Sequence, residues 1–163
     1  MKVLILDDCE VDADQAEQVL LEYDKNLEII KKNDPIEAKN ILGEEKNSID
    51  LLVLDLNMPV LDGIDILKLM HKNNINIPIL VYSNYLDKYL EKLDYDKVLS
   101  VINKENFKNM NQNEIADIFM SLNCNKSCMV LNGELTQYLL RQRKRKTDFY
   151  DSINELKKEL QKI

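Results

Sequence analysis

The chain has 163 residues, 45% of them apolar, and a formal charge of −7. That length fits one domain of ordinary size with an appendage, and the apolar share is enough for a real core. The acidic balance disfavours non-specific nucleic-acid binding, and no apolar run approaches membrane-spanning length. The expected location is therefore cytoplasmic, with no membrane insertion.

The charge is uneven. Residues 133–163 carry eight Lys or Arg and five Asp or Glu, a surplus of three positive charges that leaves −10 on the remainder. An acidic body with a basic tail implies two parts with different tasks. The three cysteines, Cys9, Cys124 and Cys128, are too few and too odd in number for a disulfide framework. Cys124 and Cys128 have no histidine nearby, and the sole histidine, His71, falls at a helix end, so no zinc site is expected. Cys9 stands beside two carboxylates, which raise a thiol's pKa, and is read as inert.

Five short apolar runs, residues 3–6, 27–30, 51–54, 77–81 and 98–102, read as strands. All but 27–30, which Glu28 interrupts, are continuous or nearly so, as strands buried on both faces should be. Helical periodicity follows each, over residues 11–23, 34–42, 64–70, 85–93 and 115–122. Pro35 falls at a first helical position. Strand and helix alternating five times over residues 1–123 predicts an α/β fold, a doubly wound five-stranded parallel sheet with helices on both faces.

Residues 124–132 are polar and read as a linker. Residues 133–163 lack an internal Gly or Pro and read as a long C-terminal amphipathic helix. Leu139, Ile153 and Leu160 share one heptad position; Leu135, Phe149, Leu156 and Ile163 share the other, the pattern of a coiled coil. Gln142 and Lys146 interrupt that seam within the basic run Arg141 to Lys146. A solvated helical face is the simpler reading of that run, with docking on the acidic body or on phosphates as alternatives.

Ligands of doubly wound sheets bind beyond the carboxyl ends of the strands. There the first strand is followed by Asp7 and Asp8, the third by Asp55, the fourth by Ser83, and the fifth ends near Lys104. One Asp after a strand is ordinarily a helix cap, and Asp8 or a residue just after it could cap the first helix. All five residues on one rim suit a different task. Clustered carboxylates either raise their pKa values or hold a hard cation, and an oxygen-rich acidic pocket suits Mg²⁺. A lysine facing a metal-bound carboxylate suits phosphoryl transfer, in which cations neutralise the phosphoryl oxygens while a carboxylate attacks.

The string Asp55-Leu56-Asn57-Met58-Pro59, continuing to Leu61-Asp62-Gly63, resembles the phosphorylation signature of response-regulator receiver domains of two-component signalling, including chemotaxis receivers. The Asp7-Asp8 pair, Ser83 and Lys104 extend the resemblance over residues 1–123. It implies a flavodoxin-like receiver fold and a phosphoacceptor signalling domain, not an enzyme with a separate substrate. Asp55 would take a phosphoryl group from a histidine kinase or a histidine phosphotransfer protein. Asp8, Asp55 and the backbone carbonyl of Asn57 would hold Mg²⁺, with Asp7 acting through water. Lys104 and Ser83 would contact the phosphoryl oxygens. Pro59 and Gly63 would shape the loop, Gly63 through positive φ.

Three positions depart from the family pattern. Glu105 stands where a proline is common, which removes a slow isomerisation from the switch. Val101 stands where a switch aromatic is usual, leaving Tyr82, Tyr85 or Tyr89 as substitutes. Asn84 replaces a small residue and is expected to slow phosphoryl exchange.

The output is expected to be a homodimer or partner contact made through the C-terminal helix. The alternatives are a receiver fragment of a larger hybrid kinase or response regulator, and an unphosphorylated receiver-like interaction module. DNA binding is disfavoured because the tail is too short for a winged-helix output domain. A phosphoaspartate hydrolase needs a second Asp at the position of Asn57 and is disfavoured for that reason.

Overall fold

The computed structural model describes residues 1–44, 48–89, 93 and 98–122. The linker, the long C-terminal helix, its heptad seam and the basic run fall outside the described residues. Eleven elements follow one another: β1 (Lys2–Leu6), α1 (Glu10–Tyr23), β2 (Glu28–Lys32), α2 (Pro35–Glu44), β3 (Leu51–Leu54), α3 (Gly63–Lys72), β4 (Ile79–Tyr82), α4 (Leu86–Tyr89), β5 (Val98–Ile102), α5 (Lys104–Lys108) and α6 (Gln112–Leu122). The strands form one parallel sheet in the order β2-β1-β3-β4-β5. This is the doubly wound fold that the alternation predicts.

The inner strands β3 and β4 are buried at every residue because helices cover both faces. Val3, Ile5, Leu51, Val53, Leu80, Tyr82 and Ile102 join one core cluster with Ala13, Ala16 and Leu20 of α1 and Ile115 and Ile118 of α6. The intervening Leu4, Leu6, Leu52 and Leu54 are fully buried and face the other way, as alternation along a strand requires. Fully burying one such side chain contributes about 2 kcal/mol. Among the described residues, no helix is long and apolar enough to cross a membrane.

Strand β2 lies one or two residues later than its apolar run, because an edge strand carries Lys31 and Lys32 without burying them. The short helix α5 is absent from the sequence reading. Asn103 caps it, its side chain accepting from the Glu105 N–H at 2.9 Å. Pro35 is the first residue of α2, and the Asp34 carboxylate accepts from the Ile36 N–H at 2.8 Å.

The loop from β3 to α3 corrects one expectation. Gly63 does not adopt positive φ; among the described residues that conformation falls to Val60 and Asn74. Val60, with φ of 70°, centres a tight turn closed by the Leu61 N–H on the Pro59 carbonyl at 2.8 Å. Gly63 is needed for close approach instead. A Cβ there would lie 2.8 Å from Leu56 Cα and closer still to the Asp55 carbonyl oxygen. Both are backbone atoms, so relief requires moving the strand end that carries Asp55. Gly63→Ala is therefore expected to cost about 2 to 3 kcal/mol of stability in urea unfolding. A change within about 0.5 kcal/mol, the range of a neutral surface substitution, would contradict this account.

Candidate functional site

Sheet order reverses at β1, so β1 and β3 are adjacent while their connections leave in opposite directions. A crevice opens at that switch point beyond the carboxyl ends of the strands. Leu6 pairs with Leu54, and the Asp55 N–H donates to the Leu6 carbonyl at 2.9 Å. The two strands thus deliver Asp7, Asp8 and Asp55 side by side. Ser83 follows β4, its N–H donating to the Ile102 carbonyl at 3.1 Å, and Lys104 opens α5 beyond β5.

Asp7, Ser83, Asp55 and Lys104 are all buried, while Asp8 is exposed at the rim. The Lys104 ammonium lies 2.7 Å from Asp7 Oδ2, 2.8 Å from Asp12 Oδ2 and 3.0 Å from Asp55 Oδ2. The contacts to Asp12 and Asp55 are directed hydrogen bonds. The contact to Asp7 is an ion pair off the hydrogen-bond direction, and Asp7 Oδ2 accepts no hydrogen bond. Asp7 Oδ1 accepts from the Cys9 N–H at 2.9 Å, and Asp55 Oδ1 from the Asn57 N–H at 3.1 Å. Cys9, not Asp8, occupies the cap position of α1, and its side chain makes no capping bond.

Burial pushes the Asp7 carboxyl up from 3.8 to about 6; the Asp55 charge adds to this, while Lys104 and the Cys9 N–H oppose it. Burial works against the charge of Lys104 too, but its close contacts with Asp12 and Asp7 and the charge of Asp55 outweigh it and raise its pKa. The ammonium stays protonated and is the fixed cation of the pocket. It lies 5.3 Å from the Tyr82 ring centroid, and that ring packs edge-on against Phe107.

One oxygen each from Asp7, Asp8 and Asp55 fall within 4.8 Å of one another. With one lysine for this many carboxylates and a buried Asp7 oxygen lacking a hydrogen bond, the donor set fits a hard, oxygen-seeking cation. Mg²⁺ there would neutralise charge on an arriving phosphoryl group.

Three contacts lie outside the sequence reading. Asp12 sits in the first turn of α1, where an acid is explained by the helix dipole, and only the fold brings Lys104 to it. The Asn57 side-chain oxygen accepts from the Tyr89 hydroxyl at 3.3 Å and from Lys88 Nζ at 3.4 Å. Of the three tyrosines offered for the absent β5 aromatic, Tyr82 is buried with its hydroxyl donating to the Asp12 carbonyl, and Tyr85 is exposed. Tyr89 is buried and touches Asn57 in the loop after β3. Val101 lies buried within β5, and Asn84 is exposed.

Residues 3–118 match the family model described as response regulator receiver domain. A segment of 69 residues is 46% identical to protein-glutamate methylesterase/protein-glutamine glutaminase 2 of Hahella chejuensis, covering 42% of this chain and 18% of that protein. Two-component response regulator-like APRR3 of Arabidopsis thaliana is 34% identical over 92 residues, covering 52% of this chain and 19% of the relative. The chain thus matches about a fifth of the length of these curated relatives. Among solved structures, the response regulator domain of Thermotoga maritima CheB superposes with a TM-score of 0.62 at 20% identity, covering 77% of this chain and 98% of that one. A receiver domain from Rhodospirillum rubrum gives 0.59 at 29% identity, covering 75% and 94%. With its sheet order, its acidic crevice and the match over residues 3–118, this chain belongs to the response regulator receiver domain family.

Proposed function

We propose that Asp55 accepts a phosphoryl group from the phosphohistidine of a histidine kinase or histidine phosphotransfer protein. The observation that carries this reading is a buried Asp55 carboxylate 3.0 Å from a buried lysine and grouped with two further acids. An Asp55 oxygen attacks phosphorus while the phosphorus–nitrogen bond breaks. The bonding pair stays on the imidazole nitrogen, and an acyl phosphate remains on Asp55. Asp8, Asp55 and the Asn57 carbonyl would hold Mg²⁺, with Asp7 acting through water. Bound there, the cation supplies charge neutralisation for the phosphoryl oxygens. Lys104 orients and balances the same oxygens, and the Ser83 hydroxyl donates to one of them.

The loading of Asp55 would switch a dimer or partner contact made through the C-terminal helix. A second reading, that this receiver governs an effector further along a longer protein, is favoured by the relatives, in which the matched segment is about a fifth of the length.

The test is intact-mass measurement after incubation with Mg²⁺ and a small acyl phosphate donor. One phosphoryl addition is expected for the wild type and none for Asp55→Asn. An unmodified wild type that also fails to bind Mg²⁺ and beryllofluoride would overturn the reading. Light scattering with and without beryllofluoride then tests the switch in assembly.

A further inference from the structure

A lysine ammonium has three N–H bonds. Three carboxylates lie within 3.0 Å of Lys104 Nζ, those of Asp7, Asp12 and Asp55. Only Asp12 and Asp55 accept directed hydrogen bonds from it, and Asp7 Oδ2 crowds its remaining side, so a phosphoryl oxygen on Asp55 enters beside an ammonium already ringed by carboxylates. The three are not equally free to leave. The Asp7 side chain is 0% exposed and that of Asp55 6%, whereas that of Asp12 is 22% exposed. Asp7 and Asp55 belong to the oxygen group that suits a cation; Asp12 does not. Its charge would thus oppose an incoming dianion without a metal to offset it.

We propose that Asp12 is a positioning residue that competes with the phosphoryl group for Lys104 and so limits how tightly the acceptor site holds it. In the unloaded protein Asp12 keeps the ammonium satisfied and fixed. On loading, its carboxylate yields a place on the lysine and turns towards solvent. Phosphoryl retention is then set partly by a residue of α1, outside the loops that carry the acceptor and the metal ligands. The inference rests on Asp55 being the phosphoacceptor.

The experiment is calorimetric titration of the full chain with beryllofluoride at saturating Mg²⁺. It compares the wild type, Asp12→Asn, Asp12→Ala and Asp14→Asn. Asp14 lies on the same helix and pairs with Lys31, so its substitution makes the same charge change without touching Lys104. Thermal unfolding monitors the fold of each variant, and Asp12→Ala replaces Asp12→Asn if only one of them folds. Asp12→Asn and Asp12→Ala are expected to bind the mimic about fivefold more tightly than the wild type, the scale of one charge-assisted hydrogen bond released to the ligand. Asp14→Asn is expected to match the wild type. Equal tightening by Asp12→Asn and Asp14→Asn would reduce the effect to net charge and overturn the proposal. Unchanged or weaker binding in the Asp12 variants would overturn it too, showing that Asp12 steers Lys104 towards the phosphoryl group. In both cases the acceptor reading survives, because the wild type still binds. Failure of the wild type to bind overturns both.

Discussion

Lys104→Met is expected to lower the folding stability of the metal-free protein by about 3 kcal/mol near neutral pH, although methionine fits the space. Lys104 is 4% exposed and is the ammonium that three carboxylates share. Its removal leaves Asp7 and Asp55 buried and facing each other. Breaking a buried ion pair from one side costs far more than the pair is worth, because the remaining charge loses its partner without regaining water. The cost has an escape, which makes the prediction sharper. Asp7 titrates near 6 even with the lysine present. Without the lysine it should hold its proton to higher pH still, so the loss should shrink as the medium is acidified. Mg²⁺ should also recover part of it by replacing the missing positive charge. Asp55→Asn should act in the opposite direction and stabilise the metal-free fold by removing a repelling charge. Urea unfolding of the wild type and both variants, with chelator and with Mg²⁺, checks all three statements. A loss below about 1 kcal/mol for Lys104→Met would mean that water enters the pocket and solvates the acids.

Much of this arrangement is legible in the sequence, because strands buried on both faces leave continuous apolar runs. Residues 51–54 and 98–102 match β3 and β5 at both ends. The rim acids and the lysine stand where those runs stop, so the topology alone brings them together. What escapes the sequence has identifiable causes. The strand β2 is displaced because its edge position tolerates Lys31 and Lys32. The role of Gly63 is misjudged because a crowded helix start and a left-handed turn ask for the same residue, and only coordinates distinguish them. Asp12 is invisible as a site residue because its partner lies 92 positions away and its own position in a first helical turn is already accounted for. The hydrogen bond between Tyr89 and Asn57 depends on how α4 meets the loop after β3, which no local pattern encodes.

In the metal-free protein Asp7 should contribute a loss of stability as pH rises from about 4 to about 6, the reverse of the usual carboxylate behaviour. The cause is Asp7, raised by burial from 3.8 to about 6. Below pH 4 both the folded and the unfolded chain hold this proton, and the group contributes no difference. Between the two values the unfolded chain has released it while the folded chain keeps it. The folded state then binds more protons, so stability falls with each increment of pH. Above 6 both states have released it, and the full cost of holding a buried carboxylate is present. A shift of this size corresponds to about 2 to 3 kcal/mol. The contribution of this one group is isolated by comparison with Asp7→Asn. That variant keeps an oxygen for the Cys9 N–H and removes the titration. Its stability relative to wild type should rise by about 2 kcal/mol across the window and level off above it. Urea midpoints from pH 4 to 7 in chelator measure the difference, and a constant offset between the two proteins would exclude Asp7 as the cause. Mg²⁺ should invert the trend, because a cation binds the deprotonated acid and competes with the proton. Metal affinity should accordingly weaken as pH falls through about 6, the value at which Asp7 takes up its proton. Acidification would then remove the cost of the buried Asp7 charge while weakening the proposed cation pocket, the expected consequence of keeping a carboxylate in a crevice too dry to ionise it freely.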